Sequence, residues 1–164
     1  MNKRGFTLVE LLGVIVILSI IMLIAVPNIT STLERSRRDG YLTDAIKMIT
    51  LADSEIRKGD LYKPTEGNFI KITLGELSTS DIDKDPDGVP YSLTESSVVI
   101  ARKNSYLKYY VTLIADHGKN GETTWWGIKL SEKSELDGDD RYNLIDKNIS
   151  GAPSDTEILN KINE

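Results

Sequence analysis

An apolar run extends from Gly5 to Pro27, reading GFTLVELLGVIVILSIIMLIAVP, and it holds one charged residue, Glu10. The short basic leader Met1-Asn2-Lys3-Arg4 precedes it. From Leu11 to Val26 there are 16 residues without charge, and counting from Phe6 gives 21 before Pro27. As a helix rising about 1.5 Å per residue, this run crosses a hydrocarbon core of roughly 30 Å. Lys3 and Arg4 keep the N-terminus on the cytoplasmic side, so the remainder of the chain is expected outside. Arg35, Arg37 and Arg38 follow the run, but Glu34 and Asp39 accompany them. A carboxylate at the centre of a membrane helix costs about 2.5 kcal/mol or more on insertion scales. Glu10 therefore needs either water or a partner charge.

Three readings of the run compete. A cleaved secretory signal requires a small-x-small site after the apolar stretch, and Ser19 to Val26 offers no convincing one. An uncleaved anchor has no use for Glu10. The third reading takes the order of features: a basic leader ending in Gly5, an aromatic at once, and a carboxylate four residues later. A cut between Gly5 and Phe6 would leave the apolar run on the mature chain.

At Gly5-Phe6-Thr7-Leu8-Val9-Glu10 the sequence closely resembles the class III signal of type IV pilins and related pseudopilins. Lys3-Arg4-Gly5 match before the cut and Phe6 after it; Glu10, the apolar stretch and Pro27 complete the match. The resemblance implies that prepilin peptidase cuts after Gly5 and that Phe6 becomes N-methylphenylalanine. It also implies a partner for Glu10, the cationic amine of Phe6 on a neighbouring subunit. Two unpaired charges in an apolar core are costly, and pairing removes much of that cost. Only one axial stagger brings them together, so the pair would act mainly as a register device. Ser19 stands where many pilins carry a Gly midway along the segment. Pro27 removes a backbone donor and is expected to kink or loosen the helix around Leu23.

Beyond Pro27 the pattern becomes amphipathic. Leu42, Ala45, Ile46, Ile49, Ala52 and Ile56 recur at three- and four-residue spacings, and Gly59-Asp60 reads as a stop. A helix from Phe6 to about Lys58 would measure roughly 80 Å. Gly40 inside it costs up to about 1 kcal/mol relative to Ala. Phe69 to Leu74 reads as a strand, with Leu74-Gly75-Glu76-Leu77 able to begin a helical turn. Ser97 to Arg102 and Tyr106 to Ala115 read as a hairpin about Lys103-Asn104-Ser105, and Thr123 to Leu130 as a further strand. Trp125 and Trp126 are expected on opposite faces, one of them in the core. Residues 131–153 read as polar loop, and Ser154 or Asp155 caps a short helix, Thr156 to Ile162, with Ile158, Leu159 and Ile162 as its apolar contacts.

The expected fold class is α+β, a long N-terminal helix packed on a three- or four-stranded antiparallel sheet. The domain reading is a leader over 1–5, a transmembrane and assembly helix over 6–27, and an extracellular domain over 28–164. Within that domain a helix covers 28–58, a sheet about 68–130, and a loop with a short helix 131–164.

The net charge is −5, and the leader and Glu10 together contribute +1, which leaves −6 on the rest. That argues against general nucleic-acid binding, which needs a basic footprint. Cysteine is absent, so neither a disulfide nor a thiolate is available. The tail where many Gram-negative pilins close a disulfide must be held otherwise, as in pilins of Gram-positive bacteria. Asp83-Lys84-Asp85-Pro86-Asp87-Gly88 follows the start of an EF-hand loop, but Thr94 stands where its bidentate Glu belongs. Asp83, Asp85 and Asp87 remain candidates for a looser calcium site, against the alternative of a solvated Pro-Gly turn. The stretch Asp85 to Tyr91 resembles the structural DP-x-G-x-x-Y turn of pseudopilins and Gram-positive pilins. His117 sits in a Gly- and Asn-rich stretch and reads as a solvated loop residue, and Asn148-Ile149-Ser150 is a glycosylation sequon by pattern only. Nothing points to catalysis.

The expected function is thus a structural subunit of a type IV pilus serving motility, adhesion or a related task. Its partners would be further copies of itself in a helical filament, prepilin peptidase, the assembly machinery and the membrane. It would be a single-pass protein of the cytoplasmic membrane before assembly and part of a surface pilus afterwards. The alternatives are a secretion or competence pseudopilin, and an anchored extracellular domain that binds calcium or another ligand without polymerising.

Overall fold

The computed structural model describes residues 7–59, 61–77, 82–118, 124–149 and 151–164. Gly5, Phe6, Asp60 and Ser150 lie outside these residues. Two compact units divide the chain, one ending at Ser36 and the other running from Arg37 to Glu164.

One helix, α1 (Leu8–Lys58), supplies all of the first unit from Leu8 onward. Its large apolar side chains there are exposed: Leu8 is 81 % exposed, Leu23 77 % and Ile24 67 %. The helix is continuous through Pro27. Pro27 cannot donate to the Leu23 carbonyl, and the polar residues around it turn inward onto the helix instead. Asn28 Nδ2 donates to the Ile24 carbonyl at 3.2 Å and Thr30 Oγ1 to that of Val26 at 3.2 Å. Ser19 donates likewise to Ile15 at 2.8 Å. From Leu11 to Val26 the surface left outward is almost purely hydrocarbon, which suits lipid or other apolar helices and not water.

In the second unit α1 becomes one wall of a core. Tyr41, Leu42, Ala45, Met48, Ile49, Ala52 and Ile56 are buried at the helical spacing the sequence shows. They face a five-stranded antiparallel meander in the order β1-β2-β3-β4-β5. Its strands are β1 (Phe69–Thr73), β2 (Ser97–Lys103), β3 (Tyr106–Asp116), β4 (Trp125–Glu132) and β5 (Ile145–Ile149). Val98 and Ile100 of β2 point to α1, whereas Val99 and Ala101 point to the opposite face. That face is covered by α3 (Asp155–Asn163) through Ile158 and Ile162. The central strands are thereby buried on both sides.

The sheet has five strands instead of three or four. Residues 131–153 are not a loop: β4 continues to Glu132, α2 (Lys133–Leu136) and a 3-10 turn (Arg141–Leu144) follow, and β5 closes the sheet. β5 escapes sequence detection because it is an edge strand, with only Ile145 and Ile149 facing apolar neighbours around exposed Asp146, Lys147 and Asn148. Trp125 and Trp126 are both half-buried, so neither is a plain core residue. Gly127 explains the irregularity: at φ 144° it lies so close to β3 that a Cβ would sit 1.9 Å from the Leu113 carbonyl oxygen, and the β4–β5 register slips there. The hairpin turn is Asn104-Ser105 alone, since Lys103 pairs with Tyr106. Both turn residues have positive φ, and the Glu66 carboxylate accepts their amides at 2.5 and 3.1 Å.

One amide on each edge strand is taken by a nearby side chain. Glu76, in the turn after β1, accepts the Thr73 amide at 2.7 Å, and Asp146 accepts the Asn148 amide at 3.0 Å. In α3, Ser154 and Glu157 form a capping box. The Ser154 amide, helped by the Lys129 ammonium, holds the Glu157 carboxyl down to about 2. Leu159, an expected contact of this helix, is 41 % exposed. With no cysteine in the chain, α3 is held to the sheet by Ile158 and Ile162.

Candidate functional site

Two arrangements carry the chemistry of the chain. At the start of α1, Thr7 and Glu10 form a reciprocal cap. The Glu10 carboxylate accepts from the Thr7 amide at 2.8 Å and from the Thr7 hydroxyl at 2.9 Å, while Thr7 Oγ1 accepts from the Glu10 amide at 3.3 Å. This is the S/T-x-x-E pattern of a helix start. Reading Glu10 only for its charge overlooks the pattern, although Thr7-Leu8-Val9-Glu10 displays it in the sequence. Glu10 is thus a charged group on an apolar shaft, with its carboxylate turned back toward the N-terminal end.

The second arrangement is built on Asp85, whose side chain is fully buried. Its Oδ1 accepts from the amides of Asp87 and Val89, each at 2.9 Å. Its Oδ2 accepts from the Tyr41 hydroxyl at 2.5 Å and meets His117 Nε2. Burial by itself would raise the Asp85 carboxyl; the Tyr41 hydroxyl, the Val89 amide and His117 outweigh it, and the group lies below its ordinary range. Tyr41 is pushed up strongly, first by burial and then by Asp85. Around this centre Arg37 pairs with Asp87 at 3.0 Å, and the Tyr91 hydroxyl donates to Asp44 at 3.2 Å. His117 is not a solvated loop residue. Its ring stacks on Trp126 with centroids 4.0 Å apart, and its side chain is 10 % exposed.

Gly40 has a role here. A Cβ at that position would lie 2.5 Å from Pro86 Cγ, so the missing side chain lets the Asp85 loop seat on the helix. Gly40→Ala would stabilise an open helix by up to about 1 kcal/mol. Here it is expected to destabilise by about 1–2 kcal/mol through overpacking. The readout is the denaturant midpoint of the full chain in detergent, and an unchanged or raised midpoint contradicts the seating.

The calcium candidates fare unequally. Among the described residues, Asp85, Asp87 and His117 place ligand-type atoms within 4.8 Å of one another, and Asp83 is exposed outside that group. Calcium needs six to eight oxygens. Here Asp85 is already taken by four donors, Asp87 faces a guanidinium, and the third group is an imidazole. This donor set does not fit calcium; it fits a hydrogen-bonded anchor between α1, the loop and the end of β3. Millimolar calcium is expected to leave the melting temperature of the full chain unchanged, whereas an upward shift that grows with calcium concentration would contradict this.

Comparison with known proteins bears on the N-terminal helix and on the family. Residues 1–26 match the model described as the prokaryotic N-terminal methylation motif. Over 128 residues the chain is 32 % identical to the type IV wide pilus major component PilA4 of Thermus thermophilus, an alignment covering 76 % of this chain and 80 % of that protein. The chain belongs to the type IV pilin family. The pilin is also 48 % identical over 40 residues to competence protein ComGC of Bacillus subtilis, and 42 % identical over 40 residues to the ComG operon protein 3 homolog of Bacillus licheniformis. Each of these two matches covers 24 % of the pilin and 41 % of the relative. No solved structure matches the pilin.

Proposed function

We propose that this pilin is a structural subunit of a type IV pilus, cut by prepilin peptidase after Gly5, methylated at Phe6 and polymerised through α1. The carrying observation is the first unit. Its helix from Leu8 to Val26 exposes Leu, Ile and Val all round, with a capped carboxylate at its start. Lipid satisfies such a surface in the free subunit, and the helices of neighbours satisfy it in a filament. Glu10 pairs with the Phe6 amine of a neighbour and fixes the stagger. Pro27 marks where the ladder of helix hydrogen bonds is already interrupted. Before assembly the subunit spans the cytoplasmic membrane once, with the second unit outside. The assembly machinery extracts it, and the acidic outer domain carries any adhesive or motility function.

A competence pseudopilin is the second reading, favoured by the identity to ComGC over 40 residues. The alignment with PilA4 runs over most of the chain, including much of the outer domain, and supports the pilus subunit. Shearing cells that express the chain is the test. A pilus subunit is recovered as the predominant protein of long surface filaments; retention in the membrane fraction with no filaments overturns the proposal.

A further inference from the structure

We propose that Thr7 is a positioning residue for filament assembly: its hydroxyl and amide hold the Glu10 carboxylate turned back toward the helix start until a neighbour's amine engages it. The inference rests on the reading of the chain as a filament subunit. An ionised carboxylate on an apolar helix needs donors, and none of the nearby side chains in the run, Leu8, Val9, Leu11, Leu12, Gly13 or Val14, can supply one. Thr7 supplies two, at 2.8 and 2.9 Å. The Thr7 hydroxyl also takes the Glu10 amide, so the pair closes on itself and restricts the carboxylate to one orientation. Without the hydroxyl, one donor is lost and the side chain is free to rotate down the shaft into hydrocarbon. There it no longer faces the position a neighbour's amine would take. Preorganisation by Thr7 therefore favours productive pairing and does not compete with it, because a carboxylate has about four acceptor sites and Thr7 fills two.

The test uses full-length Thr7→Val, which keeps the volume and the backbone amide but removes the hydroxyl, beside Thr7→Ser, which keeps the hydroxyl. Each is scored for leader removal by intact mass and for sheared filament yield. Thr7→Val is expected to be cleaved normally and to lower filament yield roughly fivefold, the effect of losing one typical N-cap side chain. Thr7→Ser is expected to restore yield to near the parent level. Parent-level yield in Thr7→Val overturns the proposal. So does a Thr7→Ser chain as poor as Thr7→Val, or a Thr7→Val chain that keeps its leader, since position 7 would then act on the peptidase. Absence of filaments from the parent chain would instead overturn the pilus reading, which keeps the two failures apart.

Discussion

A chain carrying Glu10→Val inserts into the membrane as well as the parent does and fails to appear in surface filaments. Valine raises the hydropathy of the run, so insertion has nothing to lose. Assembly loses the partner of the Phe6 amine. Removing one member of a buried charge pair costs about 3–5 kcal/mol because the other charge is left unpaired. The helix start also loses its capping box, about another 1 kcal/mol. Together these lower filament yield by at least about 100-fold. Membrane fractionation and shearing, performed on the same culture, read the two halves of the expectation. Normal filaments in this variant would remove the register argument while leaving the family membership intact.

The second large effect is expected at Asp85, 75 residues further along the chain. Asp85→Ala leaves the Tyr41 hydroxyl, two backbone amides and His117 without their shared acceptor in a buried site. Each stranded donor costs about 1–3 kcal/mol, some of it recovered by water or local shifts, so a net loss of about 3 kcal/mol is expected. For a domain of this size that lowers the melting temperature by about 10 °C. The pH dependence has a definite sign. The folded carboxyl lies below its ordinary value of 3.8, so its contribution is fully present above that value and is lost as pH falls through the lower folded one. The parent therefore loses stability as pH falls below about 4, and the variant shows a shallower slope there. Equal slopes, or a melting temperature unchanged at neutral pH, would contradict the anchor. Asp85→Asn, which keeps the shape and one acceptor oxygen, should fall between the two.

What the sequence shows and what it hides follow from the range of the interactions. The N-terminal signal is legible because it is contiguous: leader, Gly5, Phe6, Glu10 and the apolar run lie within 27 residues. The buried face of α1 is legible from its spacing, and α3 from Ser154 and Glu157, three residues apart. Asp85 to Tyr91 is readable as a turn, but not as an anchor. Its partners Tyr41 and His117 stand 44 and 32 residues away, and no local pattern joins them. Gly40 shows a helix cost in the sequence and its compensation, contact with Pro86, only in three dimensions. β5 is hidden for a different reason: an edge strand buries little, so Asp146, Lys147 and Asn148 are free to be polar. His117 looks solvated because its neighbours in sequence are polar, whereas its neighbours in space are Trp126 and Asp85.

The central claim is that the apolar helix is a processed assembly element, and the intact mass of the chain recovered from sheared filaments tests it most directly. The account predicts one species lacking residues 1–5 and carrying one added methyl group on Phe6. A filament subunit that retains its leader, is cut elsewhere, or bears an unmodified Phe6 would contradict it.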